Sequence, residues 1–317
     1  MYQGNLTKTS YRKYTGTPSK PRKSIALSQN FINNRGIIST IIGLVDLSET
    51  ELVVEVGPGK GIITDALIKP YNRVVAVEKD HSLFSELKKK YGGVKNLSLV
   101  HDDFLKYSLP KEDYIVVANI PFNITAEIIK KITDKTSLLQ TAYLITEKEA
   151  AYKFVGAPYA ESPLLAHFLH IHYEVKFLMQ IEKENFTPEP RVDIGFISIK
   201  KRRKPIFEIQ DEIQFKDFLT YIFARTGGSM HEVLKSMFSN LQGKIIIEQM
   251  NMRNDTPKKK VVFFDWVKIY KTFKEHSPQK SREIIKGAFE KLSQDKANLN
   301  SQKHPKHLNG NSGRKFS

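Results

Sequence analysis

The chain has 317 residues, enough for two domains or one large domain with appendages, and Lys and Arg outnumber Asp and Glu by 50 to 34. The resulting net charge of +16 favours a polyanionic partner, and the absence of cysteine excludes disulfides, thiolate metal sites, iron–sulfur clusters and any mechanism built on a Cys nucleophile. No apolar run approaches the roughly 20 residues that span a bilayer, and no apolar signal core opens the sequence, so a cytoplasmic protein without a membrane partner is expected.

Residues 1–24 carry Lys8, Arg12, Lys13, Lys20, Arg22 and Lys23 with no acid and read as a basic flexible tail. Ile37, Ile38, Ile41, Ile42 and Val45 follow at helical spacing. Residues 52–56, 73–77, 97–100, 114–118 and 141–145 are short apolar runs with strand character. Helical stretches fall between them, around Leu83, Phe84 and Leu87 and over 125–133. This βαβα rhythm predicts an α/β fold with a doubly wound, mainly parallel sheet. Residues 170–181 and 192–199 alternate as an antiparallel pair at the sheet edge would. After the basic run at 200–204 the pattern changes to amphipathic helices over 215–223, 230–238, 263–273 and 282–292. The division expected is a catalytic domain over 25–204, a small helical RNA-binding domain over 205–295, and a second basic flexible tail over 296–317.

Chemistry-bearing residues collect at the predicted strand ends. The strand at 52–56 runs into Gly57, Gly59 and Gly61, whose G-x-G-x-G spacing misses the dinucleotide fingerprint by one residue. Glu55, just before this turn, would repel a pyrophosphate and suits a cationic ligand such as S-adenosylmethionine. The next strand ends at Glu78, placed to take two ribose hydroxyls, and Lys79 follows it. The third leads to Asp102, Asp103 and Phe104, where a carboxylate accepts from an adenine amino group and the Phe104 ring packs beside it. The fourth ends in Asn119-Ile120-Pro121-Phe122. That arrangement suits methylation of an adenine amine. The Asn119 side-chain oxygen and the backbone carbonyl at the Ile120-Pro121 junction would accept the amine hydrogens, and Phe122 would stack on the extruded base. A proline turn closing a strand satisfies the same four residues.

The motifs resemble, in order, those of the erythromycin-resistance (Erm) rRNA adenine methyltransferases and the KsgA-type rRNA dimethyladenosine transferases. The matching pieces are Ser28-Gln29-Asn30-Phe31-Ile32, the segment from Glu55 to Gly61, Ala76-Val77-Glu78, Asp103-Phe104-Leu105, the segment from Asn119 to Ile124, and Phe186-Thr187-Pro188-x-Pro190-x-Val192. The resemblance implies a class I S-adenosylmethionine-dependent methyltransferase, Rossmann-like, with a small C-terminal helical domain. It implies that Asn30 and Ile32 lie over the methionine end of S-adenosylmethionine, Gly57 along its amino-acid part, Glu78 at the ribose and Asp103 at the adenine. Gln29, Gly59, Gly61 and Lys79 belong to the same candidate set. Asn119 would hold the target amine, with Phe122 and Phe186 on the target base; no metal is implied.

Asn-Ile-Pro-Phe and the Ser-Gln-Asn-Phe-Ile opening are closer to the Erm branch, whose substrate is an adenine in the peptidyl-transferase loop of 23S rRNA. Its product confers macrolide, lincosamide and streptogramin B resistance. The partner expected is ribosomal RNA, met by a monomer. A KsgA-type small-subunit rRNA dimethyltransferase is the alternative, and a catalytically idle RNA-binding relative is a further one. DNA adenine and protein-glutamine methyltransferases usually carry two consecutive prolines where this chain has one. The segment from Phe223 to Met230 departs from both branches.

Overall fold

The computed structural model describes residues 30–46, 50–225 and 228–303, without the side chains of Phe122 and of 296–303. Ser28, Gln29, the segment 1–24 and the end beyond 303 lie outside the described residues.

A short strand β1 (Phe31–Ile32) precedes helix α1 (Arg35–Gly43). The Rossmann-like part then runs β2 (Leu52–Val56), α2 (Ile62–Leu67), β3 (Arg73–Glu78), α3 (His81–Tyr91), β4 (Leu97–His101), β5 (Tyr114–Asn119), α4 (Thr125–Ile132) and β6 (Leu139–Glu147). Helices α5 (Lys148–Val155) and α6 (Leu164–His172) lead to β7 (Tyr173–Ile181), the two-residue β8 (Phe186–Thr187) and β9 (Ile194–Lys201). The helical region holds α7 (Ile209–Ala224), α8 (Met230–Met237), α9 (Asn240–Gln249), α10 (Phe263–His276), α11 (Gln279–Ile285) and α12 (Ala288–Lys303). None of these helices is long and apolar enough to cross a membrane.

Seven strands form one sheet in the order β4-β3-β2-β5-β6-β9-β7. Strands β2 to β6 pair in parallel, and β9 runs antiparallel to both β6 and β7. The strand order reverses between β2 and β5, which opens a crevice at their carboxyl ends. Gly57 follows β2 and Asn119 ends β5, so both stand at that crevice.

The uninterrupted apolar runs arise because the sheet is covered on both faces. On one face Val54, Val56, Val116 and Ala118 pack with Ile128, Ile129 and Ile132 of α4. On the other, Val53, Ile115 and Val117 pack with Ile38 and Ile41 of α1 and Ile63 and Leu67 of α2. Each isoleucine so buried contributes about 1.5–3 kcal/mol relative to exposure. A separate aromatic-rich core built on Phe215, Phe218, Trp266, Tyr270 and Phe273 holds α7 to α11 together.

Three local expectations differ from the structure. Residues 170–172 belong to α6, because Pro163 starts a helix that buries Ala166, Leu169 and Ile171, and the strand begins only at Tyr173. The single helix expected over 282–292 is two helices, broken at Gly287 with φ 77°. Helix α12 runs on to Lys303, past the point where a tail was expected to start; nothing in 288–303 is Gly or Pro to stop it.

Candidate active site

Gly57 and Gly59 have φ of 66° and 58°, a left-handed backbone that favours glycine. A Cβ on Gly57 would meet no atom within 4 Å, so open space lies over it. A Cβ on Gly59 would come within 2.8 Å of the Phe31 ring, which β1 lays against the loop. Gly61 opens α2 and its carbonyl accepts from the Tyr91 hydroxyl at 2.7 Å.

The loop is tied to β3 by hydrogen bonds. Gly57 N–H donates to the Val77 carbonyl at 3.0 Å, and Gly59 N–H to Glu78 Oε2 at 3.0 Å. Glu78 Oε1 accepts from Asp80 N–H at 2.8 Å, so one buried carboxylate fixes both the glycine turn and the entry to α3.

Glu55 faces inward from β2 and is 1% exposed. Its Oε2 accepts from the Thr64 hydroxyl at 2.7 Å, while Oε1 has no partner among the described residues. Burial, reinforced by the like charge of Glu78, outweighs the Thr64 bond and pushes its pKa up to about 8. Burial thus works against the standing negative charge expected at Glu55.

Asp102 and Asp103 shape the turn after β4. Asp102 Oδ1 accepts from Asp103 N–H at 2.7 Å, and Asp103 Oδ1 from Leu105 N–H at 3.0 Å. Lys79 Nζ lies 2.8 Å from Asp103 Oδ2, and this bond holds the Asp103 carboxyl below the usual carboxylate range. Phe104 is buried, with its ring stacked 6.2 Å from that of Tyr107.

At the end of β5, the Asn119 Nδ2 donates to the Asn30 carbonyl at 2.8 Å. That bond sets the rotation of the amide, and Oδ1 has no hydrogen-bond partner among the described residues. Asn30 Nδ2 in turn donates to the Pro188 carbonyl at 2.7 Å. Strands β1 and β8 pair antiparallel, and an asparagine ladder continues the seam. Asn33 Nδ2 donates to Thr187 Oγ1 at 2.6 Å and Asn34 Nδ2 to Asn185 Oδ1 at 2.8 Å. Two segments more than 150 residues apart are thereby joined beside Asn119. The ladder escaped the sequence reading; its one trace there is three asparagines within 30–34.

Ile120 is buried and its N–H donates to the Ile145 carbonyl at 2.9 Å. The Pro121 carbonyl accepts from Ile124 N–H at 3.2 Å, where a single helical turn begins at Phe122. The Phe122 ring is outside the described part. Phe186 and Ile32 are 3% and 5% exposed in the core cluster that includes Ile145 and Phe196.

A family model described as ribosomal RNA adenine dimethylase matches residues 21–275. The chain is 27% identical over 266 residues to an rRNA adenine N-6-methyltransferase of Bacillus licheniformis, covering 83% of this chain and 92% of that one. It is 32% identical over 234 residues to the ribosomal RNA small subunit methyltransferase A of Mycoplasmopsis pulmonis, covering 73% and 89%. Among solved structures, that of the 23S rRNA methyltransferase ErmE matches with a TM-score of 0.71 at 24% identity, over 77% of this chain and 100% of that one. A dimethyladenosine transferase from Plasmodium falciparum matches with a TM-score of 0.59 at 23% identity, over 77% and 98%. These two structural likenesses are likenesses of fold.

Proposed function

Because the chain belongs to the ribosomal RNA adenine dimethylase family, and is thus an S-adenosylmethionine-dependent rRNA adenine methyltransferase, we propose that its target is a single adenine of 23S rRNA. The single observation that carries the chemistry is the Asn119 amide, turned by the Asn30 carbonyl so that Oδ1 is the atom offered to a substrate.

The residues present fit S-adenosylmethionine. Open space stands over Gly57, Glu78 ends β3 and Asp103 lies two residues past β4, and Glu55 Oε1 has no partner among the described residues. Gly57, Glu78, Asp103 and the Asn30–Ile32 backbone would hold it; Gly59, Gly61 and Lys79 shape the same rim. When bound, it supplies a methyl group activated on a sulfonium.

The rest falls to the chain. An adenine amine is a weak nucleophile because its lone pair is spread into the ring. Asn119 Oδ1 and the Ile120 carbonyl accept its two hydrogens, which draws the lone pair back onto nitrogen and aims it. Alignment then provides most of the acceleration. No general base is required beforehand, since the amine sheds its proton after it becomes cationic. Phe122 supports the extruded base, whose removal from a loop costs only a few kcal/mol. The helical region over 205–295 and the basic ends grip phosphates.

The Asn-Ile-Pro-Phe element and the opening before Phe31 support the 23S target, and with it macrolide, lincosamide and streptogramin B resistance. The small-subunit reading draws support from the 32% identity to the Mycoplasmopsis pulmonis protein. Labelled methyl transfer to purified 23S and 16S rRNA separates them. Label confined to 23S rRNA and lost in Asn119→Ala supports the proposal; label confined to 16S rRNA overturns its target, and full single-turnover transfer by Asn119→Ala overturns its chemistry.

A further inference from the structure

Helices α8 and α9 and the loop over 251–257 enclose a cleft of about 330 Å³ that no step above uses. His231, Lys235, Ser239, Asn240, Lys244 and Asn254 supply its polar lining, and no carboxylate is among the lining residues. Neither Lys235 nor Lys244 forms an ion pair among the described residues. Two lysines that line one cleft with no carboxylate in its wall make it a positively charged socket.

The socket is rigidly built. Ser229 and Ser239 close capping boxes at the starts of α8 and α9. Asn251, at φ 49°, turns the chain back after α9, and Met252 N–H donates to the Ile247 carbonyl at 2.9 Å. The returning loop is pinned to α8 by Met230 N–H on the Thr256 carbonyl at 2.8 Å and His231 N–H on the Asn254 carbonyl at 3.1 Å. Within the loop, Arg253 and Asp255 pair with each other at 2.7 Å, which keeps that carboxylate off the lysines. Polar donors held in place before a ligand arrives lower the ordering cost of binding it.

Resting on the ribosomal RNA reading above, we infer that this cleft is a phosphate socket that takes a backbone phosphodiester of the RNA substrate. Lys235 and Lys244 neutralise the phosphate, and the Asn240 and Asn254 side chains and the Ser239 hydroxyl offer hydrogen bonds to its oxygens. Contacts of this kind fix where the RNA lies without reading its sequence.

The test measures binding of the full chain to a 23S rRNA fragment that includes the peptidyl-transferase loop, across a salt series and without methyl donor. Each phosphate contact contributes about 0.7–0.9 to the slope of log affinity on log salt. The double variant Lys235→Gln/Lys244→Gln is expected to weaken binding at least about fivefold and to flatten the slope by roughly 1. Its KM for RNA rises in step, while kcat at saturating RNA stays within about twofold. Gly243→Glu is the second variant. Its Cβ meets only Leu234 Cβ at 3.6 Å, an ordinary contact, so the helix tolerates it and a carboxylate enters the cleft. It is expected to weaken RNA binding as well. Wild-type slope in both variants overturns the socket, and so does weakened binding with an unchanged slope, which marks damage to the fold. Failure of the wild-type chain to methylate any rRNA would sink the preceding proposal but leave this slope comparison intact.

Discussion

Asn119→Asp keeps the shape of the side chain and changes one group. It replaces the N–H that donates to the Asn30 carbonyl at 2.8 Å with an oxygen. A hydrogen bond worth about 1 kcal/mol is lost, and an acceptor in a partly buried seam is left unsatisfied at a cost of about 1–3 kcal/mol. If that cost falls on the positioning of the amine, kcat drops about 5- to 150-fold, at roughly 1.4 kcal/mol per tenfold. The pH dependence carries a sign. An ionised carboxylate faces a carbonyl oxygen, so its charged form is disfavoured and its pKa lies above that of a free aspartate. Once protonated, the new side chain donates to Asn30 again. Activity relative to wild type should therefore recover as pH falls through that raised pKa. Single-turnover methyl transfer between pH 5.5 and 8.5, with S-adenosylmethionine affinity from calorimetry, measures both. Wild-type kcat at pH 8.5, or a ratio that does not move with pH, would refute the assigned orientation of the amide.

Gly59→Ala puts a Cβ 2.8 Å from the Phe31 ring on a left-handed backbone, so calorimetry should find S-adenosylmethionine binding weakened at least about tenfold. Glu212 accepts from His172 at 3.1 Å and from Lys216 at 2.5 Å, and the His172 bond foremost lowers its pKa to about 2. Its folded pKa lies below the unfolded value, so its stabilisation is complete above about pH 4.5 and is lost as pH falls toward 2. Glu212→Gln should lower stability by roughly 1–3 kcal/mol at pH 7, after allowing for solvent screening, and denaturation curves should show the gap closing below pH 4. Asp217 accepts from Gly287 N–H and Phe289 N–H, both at 2.9 Å, and so clamps the start of α12 onto α7. Asp217→Ala should cost about 1–3 kcal/mol and speed hydrogen exchange at those two amides above all others.

The parallel sheet was legible because strands covered on both faces must be largely apolar, as residues 114–118 are throughout and residues 52–56 are apart from Glu55. The candidate site was legible where chemistry sits at the carboxyl ends of those strands, as with Gly57, Glu78, Asp103 and Asn119. Helix α6 was partly misread since Leu164–His172 is apolar on most faces, and a buried helix of that kind has no clear period. Strands β1 and β8 have two residues each, too few for any pattern, and their pairing joins distant segments. The asparagine ladder and the upward push on the Glu55 carboxyl both depend on what the fold packs around the side chain. Phe104 and Phe186 are both buried in core clusters, and an aromatic beside a motif has one identity whether it lines a core or a ligand.

In the proposed mechanism Asn119 presents an adenine amine of ribosomal RNA for methylation. Primer extension across 23S rRNA from cells making the wild-type chain or Asn119→Ala, compared with cells making neither, tests it most directly. A stop at one adenine in the peptidyl-transferase loop should appear with the wild-type chain alone. Identical 23S profiles in all three, or a stop that persists with Asn119→Ala, would contradict it.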